Sequence, residues 1–541
     1  MKLASRTIKL LALGMCTAFV SCVPGSRPLP PPPPPPPAQP PPVMDYFPPP
    51  IAREFRAAWI ASVNNIDWPS RTGLSTAEQQ AELVAILDRS VALNLNALIL
   101  QVRPATDALY ASAIEPWSPY LTGSMGKAPE PLYDPLAFAV AEAHKRGLEL
   151  HAWFNPFRAK HTSFRGEISS SHISRTHPGL VRSYGRSLWL DPGDPAVHRH
   201  SVAVILDVVN RYDVDGVHID DYFYPYQERD SVTNALLPFP DATTYLMYGG
   251  GMPRDDWRRL NVDRFVGELY FAVRAAKPHV KIGVSPFGIW RPGYPQGVTG
   301  FDAYASIYAD ARKWLNSGWL DYFSPQLYWR SDSPGQNYAS LLSWWVGENT
   351  HGRHIWVGNF TSRTDTVVGP QSWRAAELLH QIELTRAQPG AGGNVHFSMR
   401  ALMRNRDSVA DLLAAGPYTQ PALVPASPWL DALPPAMPWL FVSADSASRD
   451  PMAHMRPGDA ELPWLWRVST RYGSEWRTVI VPGSTLFFRL THPAGGMAPS
   501  EVWLTAVDRT GNESLPSACP VHDSAHACVV GKLAEDGSPR D

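Results

Sequence analysis

Cysteine is scarce: four in 541 residues, at positions 16, 22, 519 and 528. No CxxC pair occurs, and nothing in the cysteine spacing suggests structural zinc of the ribbon kind. Charge is thin as well. Asp, Glu, Lys and Arg make up 18% of the chain and the formal net charge is −2, so no basic face is offered to nucleic acid or to an anionic membrane surface. No glycine-rich phosphate loop follows the first strand-like segment, which counts against a doubly wound dinucleotide-binding sheet. The apolar run from Leu10 to Val20 is too short to span a bilayer.

That run has another meaning. Lys2, Arg6 and Lys9 precede it and small residues close it, the pattern of an export signal. The segment "AFVSC" then places Cys22 where a lipobox carries its lipidated cysteine, with Phe19 in place of the usual Leu. Ordinary signal cleavage is the alternative, leaving Cys22 a plain thiol. Proline, in contrast to cysteine, is abundant: 55 residues, with an unbroken run from Pro30 to Pro37. Residues 1–22 thus read as a signal peptide with lipobox. Residues 23–50 read as a proline-rich linker, whose mostly proline part from Pro28 to Pro50 makes a polyproline II spacer with a reach of roughly 70 Å. The expectation is an exported protein of the cell envelope, an outer-membrane lipoprotein facing the periplasm, with a membrane as its partner through the lipid anchor. Cys519 and Cys528 are free to pair locally in such a compartment.

At this length two or more domains are expected. From 51 to 418 strand-like and helix-like segments alternate. The strands are "FRAAWIAS", "ALILQVRP", "ELHAWFNP", "GVHIDDYF", "KIGVSPFG", "DYFSPQLYW", "HIWVGNF" and "NVHFSMRA". Segments with helical spacing separate them, the first, "AEQQAELVAILDRSVALN", preceded by a Ser75 to Glu78 capping box. Eight such units predict an α/β fold of the (β/α)8 TIM-barrel type. Side-chain parity then says what faces the lumen. Gln101 and Arg103, His151, Trp153 and Asn155, His218 and Asp220, Gln326 and Tyr328, and His396, Ser398 and Arg400 each oppose apolar neighbours. Polar groups are therefore expected to converge inside, toward the C-terminal mouth where such barrels place their chemistry.

The stretch "DGVHIDDYFYPY" ends the fourth strand in two adjacent carboxylates. Like charges that close push one pKa up, so that one carboxyl holds a proton near neutral pH while its neighbour stays ionised. This is the division of labour that glycoside hydrolysis requires. The bland alternative is that Asp221 caps a turn and Asp220 pairs with Arg103 or His218. Aromatic rings, on which sugar faces stack, crowd the strand ends: Trp117, Tyr120, Trp153, Tyr222, Tyr224, Trp290, Tyr328 and Trp329. The catalytic candidates are Asp220 and Asp221. The substrate-binding candidates are Arg103, Trp153, Asn155, Tyr222, Tyr224, Trp290, Gln326, Tyr328 and Trp329.

The motifs "REFRAAWIASVNNIDWPS", "LILQVRPATDALYAS", "EPWSPYLTG", "HAWFNPFR", "DGVHIDDYFYP", "GVSPFGIWR" and "SPQLYW" resemble the bacterial glycosyl-hydrolase-like family 10 proteins. The resemblance implies a (β/α)8 hydrolase of N-acetylhexosamine-containing cell-envelope glycan, with peptidoglycan glycan strands as the substrate class. It carries Asp220 and Asp221 as the acidic pair, and Arg103, Asn155, Gln326 and Tyr328 as cleft residues. The eighth strand, "VHFSMR", departs from the family's Ser-rich ending and leaves His396 and Arg400 without a role. No Glu stands at the ends of the fifth to eighth strands, where a separate nucleophile belongs. One mechanism therefore uses the substrate's acetamido group as nucleophile, with Asp220 orienting it and Asp221 as acid and base, or the two exchanged. A two-carboxylate scheme through Asp107 or Glu115 stays open. So do two other classes: a metal-dependent polysaccharide deacetylase with His151, His218 and Asp220 as ligands, and a non-catalytic glycan-binding barrel. For the hydrolase no metal or other cofactor is expected.

Beyond about Gln420 short strand-like pieces without helices predict a β-sandwich over 419–518. Its last piece is similar to the closing strand of fibronectin type III-like modules, and a structural role is favoured over glycan binding. Charge and small residues from 519 to 541 read as a flexible tail.

Overall fold

The computed structural model describes residues 47–444, 450–491, 496–521 and 528–530. The signal, Cys22 and most of the proline linker lie outside them. Eight parallel strands close into a barrel in sequence order: β1 Phe55–Ile60, β2 Ala97–Arg103, β3 Glu149–Phe154, β4 Gly216–Ile219, β5 Lys281–Val284, β6 Tyr322–Phe323, β7 His354–Asn359 and β8 Ala391–His396. A helix follows each: α1 Thr76–Ala92, α2 Pro135–His144, α3 Pro195–Arg211, α4 Arg254–Ala276, α5 Ala311–Asn316, α6 Tyr338–Gly347, α7 Ala375–Ala387 and α8 Val409–Ala415.

Local chemistry explains where the helices begin. At α1 the Ser75 hydroxyl accepts from the Glu78 amide while the Glu78 carboxylate accepts from the Ser75 amide, the reciprocal capping box expected. Asp134 and Asp194 cap α2 and α3, each followed by proline at the first helical position. Between strands and helices lies the main apolar core, with Leu98, Leu100, Ala152, Phe154, Val217, Ile219, Ile282 and Val284 on the outward parity. A separate cluster fills the lumen: Phe55, Ala57, Trp59, Ile99, Trp153, Tyr322, Trp356 and Val395.

Two bulges decide which residues reach the mouth. In β2, Gln101 pairs with Trp153 but Arg103 pairs with Phe154, so one extra residue slips the phase. Arg103 leaves the lumen at that point. In β8, Ala391 pairs with Ile355 but Asn394 with Val357, again a slip. Val395 joins the lumen cluster and Phe397 packs against it. His396 points outward instead, between Thr361 and Tyr418. The inward parity expected of His396 and Ser398 is thus reversed, because hydroxyls on the outer layer satisfy the polar groups of this strand and leave the lumen to apolar ones. Arg400 sits on a short helix, Met399–Met403, and donates to the Asn65 carbonyl.

C-terminal to the barrel, two four-stranded antiparallel sheets pack face to face around Trp466, Val468, Val502, Leu504, Leu440 and Met455, a sandwich as expected. Ser517–Pro520 and Cys528–Val530 are strands of these sheets rather than part of a loose tail. Cys519 is buried and disulfide-bonded. The sandwich sits at the end of the barrel opposite the mouth. There Arg509 pairs with Asp215 and Asp213 just before β4, and its carbonyl accepts from Lys281 at the start of β5 at 3.3 Å. Trp429, from the segment joining barrel and sandwich, donates to Asp321 before β6 at 2.8 Å. Ala52–Arg53, entering the barrel, pairs in parallel with Ala422–Leu423, leaving it.

Candidate active site

At the C-terminal mouth the strand ends enclose a cleft of about 270 Å3, with Asp220, Asp221, Trp59, Gln101, Trp153, Arg158, His161, Tyr222, Ser285, Gln326, Tyr328 and Phe397 among its lining residues. Asp220 and Asp221 follow β4 directly and are 4% and 7% exposed. The amide of Asn155, just beyond β3, donates to both oxygens of Asp220, at 2.6 and 2.7 Å. The Trp153 indole adds a second donor at 3.1 Å and the Tyr222 amide a third at 3.3 Å. Asp221 accepts from the Tyr226 hydroxyl and, at 3.2 Å, from the Gln326 amide. Burial pushes the Asp220 carboxyl up to about 7, with the Asp221 carboxylate adding to the push. Asp221 is pushed up by burial as well, against its two donors.

Asn155 is itself fixed. Its carbonyl accepts from Gln101 at 2.7 Å and from the Arg158 guanidinium at 2.5 Å, and Gln101 is held by the amides of Ser62 and Val63. Arg158 begins a small three-stranded sheet after β3, Arg158–Lys160 with Val181–Tyr184 and Ser187–Leu190. Its guanidinium lies 4.7 Å from the centre of the Tyr222 ring and draws both aspartates toward ionisation. Two carboxylates sharing one proton carry one negative charge, which this single cation balances. The arrangement can therefore hold an acid and an anion side by side at neutral pH.

Of the sequence candidates, Trp153, Tyr222, Gln326 and Tyr328 line the cleft with the pair, and Asn155 stands one layer behind, gripping Asp220. The others are placed elsewhere. Arg103, turned outward by the bulge, forms a fully buried double bridge to Glu115 at 2.5 and 2.7 Å. Tyr224 is core, between Phe239 and Tyr308. Trp290 donates to Asp310 and packs on Tyr304 and Trp344, and Trp329 leans on Phe287 outside the cleft lining. Aromatic residue type at a strand end did not separate these from true cleft residues. Trp59, Arg158, His161, Ser285 and Phe397 were not singled out, although Trp59, Arg158 and Ser285 stand in quoted motifs. Burial pushes His161 down to about 4, so it is a neutral lining group.

The alternative chemistries find less support here. Glu115 is held down to about 2 by Arg103 and His200 against strong desolvation, and Asp107 is buried; neither lines the cleft. The zinc triad does not form: His151 is bound by Tyr322 and Glu149, His218 by Tyr322, Trp59 and Ser285. No group of three or more metal-ligating side chains converges among the described residues.

A family model described as glycosyl hydrolase-like 10 matches residues 54–368. The Bacillus subtilis (strain 168) protein named glycosyl hydrolase YngK is 38% identical over 484 residues, 86% of this chain and 92% of its own. Escherichia coli (strain K12) glycosyl hydrolase DigH is 34% identical over 374 residues, 64% of this chain and 83% of its own. Among solved structures, the glycoside hydrolase domain of PgaB (BpsB) from Bordetella bronchiseptica is similar at 14% identity and a TM-score of 0.43. That match spans 67% of this chain and 98% of the domain.

Proposed function

The chain belongs to the glycosyl hydrolase-like 10 family, and from that premise we propose that its glycosidase activity is directed at N-acetylhexosamine-containing cell-envelope glycan, above all the glycan strands of peptidoglycan, with Asp220 and Asp221 carrying the chemistry. The observation that carries this reading is the buried pair itself, poised near neutral pH at the barrel mouth. Asp220 accepts four hydrogen bonds from three donor groups on its two oxygens, and Asp221 accepts two, so the proton of the pair belongs on Asp221. Asp221 then protonates the leaving oxygen and later deprotonates water, while the Asp220 anion orients and polarises the acetamido group of the sugar. No third carboxylate appears among the described residues that line the cleft, which supports the acetamido oxygen as nucleophile. Trp59, Trp153, Tyr222, Tyr328 and Phe397 offer the apolar faces on which sugar rings stack.

By the same proposal the protein is exported and held at the outer membrane through Cys22, facing the periplasm. The test of the activity is direct. Purified protein is incubated with intact peptidoglycan, with amidase-stripped strands and with chitin oligomers, and products are resolved by mass. Shortened glycan with new reducing ends is expected. Loss of acetate with the chain length unchanged would overturn hydrolysis, and cleavage of chitin alone would overturn the peptidoglycan assignment.

A further inference from the structure

A column of polar side chains runs down the apolar lumen beneath the cleft, and the mechanism above does not use it. From the floor downward, Ser285 Oγ lies 2.9 Å from His218 Nε2, and His218 Nδ1 lies 3.0 Å from the Tyr322 hydroxyl. That hydroxyl lies 2.8 Å from His151 Nδ1, and His151 Nε2 lies 3.0 Å from Glu149, which Lys281 meets at 2.9 Å. One fixed donor orients every proton in it. The Trp59 indole can only donate, and it points at His218 Nε2 at 3.1 Å, so that nitrogen bears no hydrogen. His218 Nδ1–H then donates to Tyr322, the Tyr322 O–H to His151 Nδ1, and His151 Nε2–H to the Glu149 carboxylate.

The same logic applies upward. With His218 Nε2 bare, the donor in its contact with Ser285 is the serine hydroxyl, which shares the one lone pair of that nitrogen with the Trp59 indole. Burial keeps His218 neutral, so the arrangement does not reverse near neutral pH. The free lone pairs of Ser285 are left for the cleft that this residue lines. Its place is fixed independently, because its amide donates to the Ile219 carbonyl at 2.9 Å and its carbonyl accepts from Gln326 at 2.9 Å, the amide that also serves Asp221. We propose that Ser285 Oγ is a specificity-determining acceptor on the cleft floor, taking a hydroxyl proton from the sugar seated at the Asp220–Asp221 pair, with His218 as the residue that positions it. The proposal rests on the glycan-hydrolase reading above. A site that can only accept rejects a sugar lacking the matching donor, because the buried oxygen is then left unpaired.

The test compares the parent with Ser285→Ala, His218→Phe and His218→Gln. Binding of chitotriose is measured by calorimetry, and kcat and KM on peptide-free glycan strands. Ser285→Ala is expected to bind chitotriose about tenfold more weakly, with the loss falling mainly on KM. His218→Phe, which frees the serine proton to face the cleft, should match it. His218→Gln keeps an acceptor for Ser285 and a donor for Tyr322, and should retain the parent's affinity. A Ser285→Ala protein that binds as tightly as the parent would overturn the proposal even if His218→Phe failed to fold. So would equal weakening by Phe and Gln at 218 in proteins that melt like the parent. Release of no new reducing ends from any of these glycans by the parent would instead overturn the hydrolase reading, leaving the binding comparison to stand on its own.

Discussion

Each member of the acidic pair has its own work in the proposed reaction, and stacking on the aromatic lining supplies most of the hold on the sugar. Asp220→Asn and Asp221→Asn are each expected to lower kcat by on the order of a hundredfold or more with KM little changed, the scale of a lost acid or base. Near-normal kcat in both variants would remove the site assignment. A second consequence is thermodynamic. Burial and the two adjacent like charges raise both carboxyls, so that the pair keeps one shared proton in the folded chain up to about 7, against about 3.9 for an unfolded aspartate, and between those values the folded state holds the extra proton. Stability therefore falls as pH rises from about 4 to about 7. Urea midpoints at pH 5 and pH 8 should differ less in Asp220→Asn than in the parent; equal differences would count against a buried, raised Asp220. The pair was legible in the sequence because a polar parity ended in two carboxylates. Arg103 was misread on the same parity, since a bulge leaves no mark in a run such as "LILQVRP".

At the scale of elements, all eight strands and their helices could be found from periodicity and turn residues, because burial on both faces demands apolar strands and one-sided helices. The orientation of β8 could not. It depends on Gly393, at φ +151°, where an added Cβ would lie 2.1 Å from the Phe55 carbonyl oxygen. The close approach of β8 to β1 that closes the barrel requires this glycine. Gly393→Ala is expected to cost on the order of 3 kcal/mol, read as a lowered urea midpoint, and to reduce activity through the placement of Phe397 in the cleft. An unchanged midpoint would show that the two strands part readily.

For the molecule as a whole, the sandwich was foreseen but its position was not, because no sequence pattern says which end of a barrel a neighbour covers. Arg509 bridges to Asp215, at the root of the strand that bears the acidic pair. Arg509→Ala leaves Asp215 buried with only His144 and the Leu150 amide beside it, and should lower stability by on the order of 2 kcal/mol, measured by denaturant unfolding, while kcat per folded molecule stays within about threefold. A large fall in kcat would mean that the sandwich governs the mouth from the far end. The tether has its own test: Cys22→Ser is expected to move the protein from membrane to soluble fractions with its specific activity kept, and retention at the membrane would remove the lipidation proposal.

The pairing of Ala52–Arg53 with Ala422–Leu423 brings the way into the barrel and the way out of it side by side. A module whose ends meet can be lifted out of one gene and set into another with a short scar, because its neighbours need not be moved apart to receive it. In this chain the barrel is such a cassette, and the few side chains that grip it from below, Arg509 and Trp429 foremost, are what a new host would have to supply.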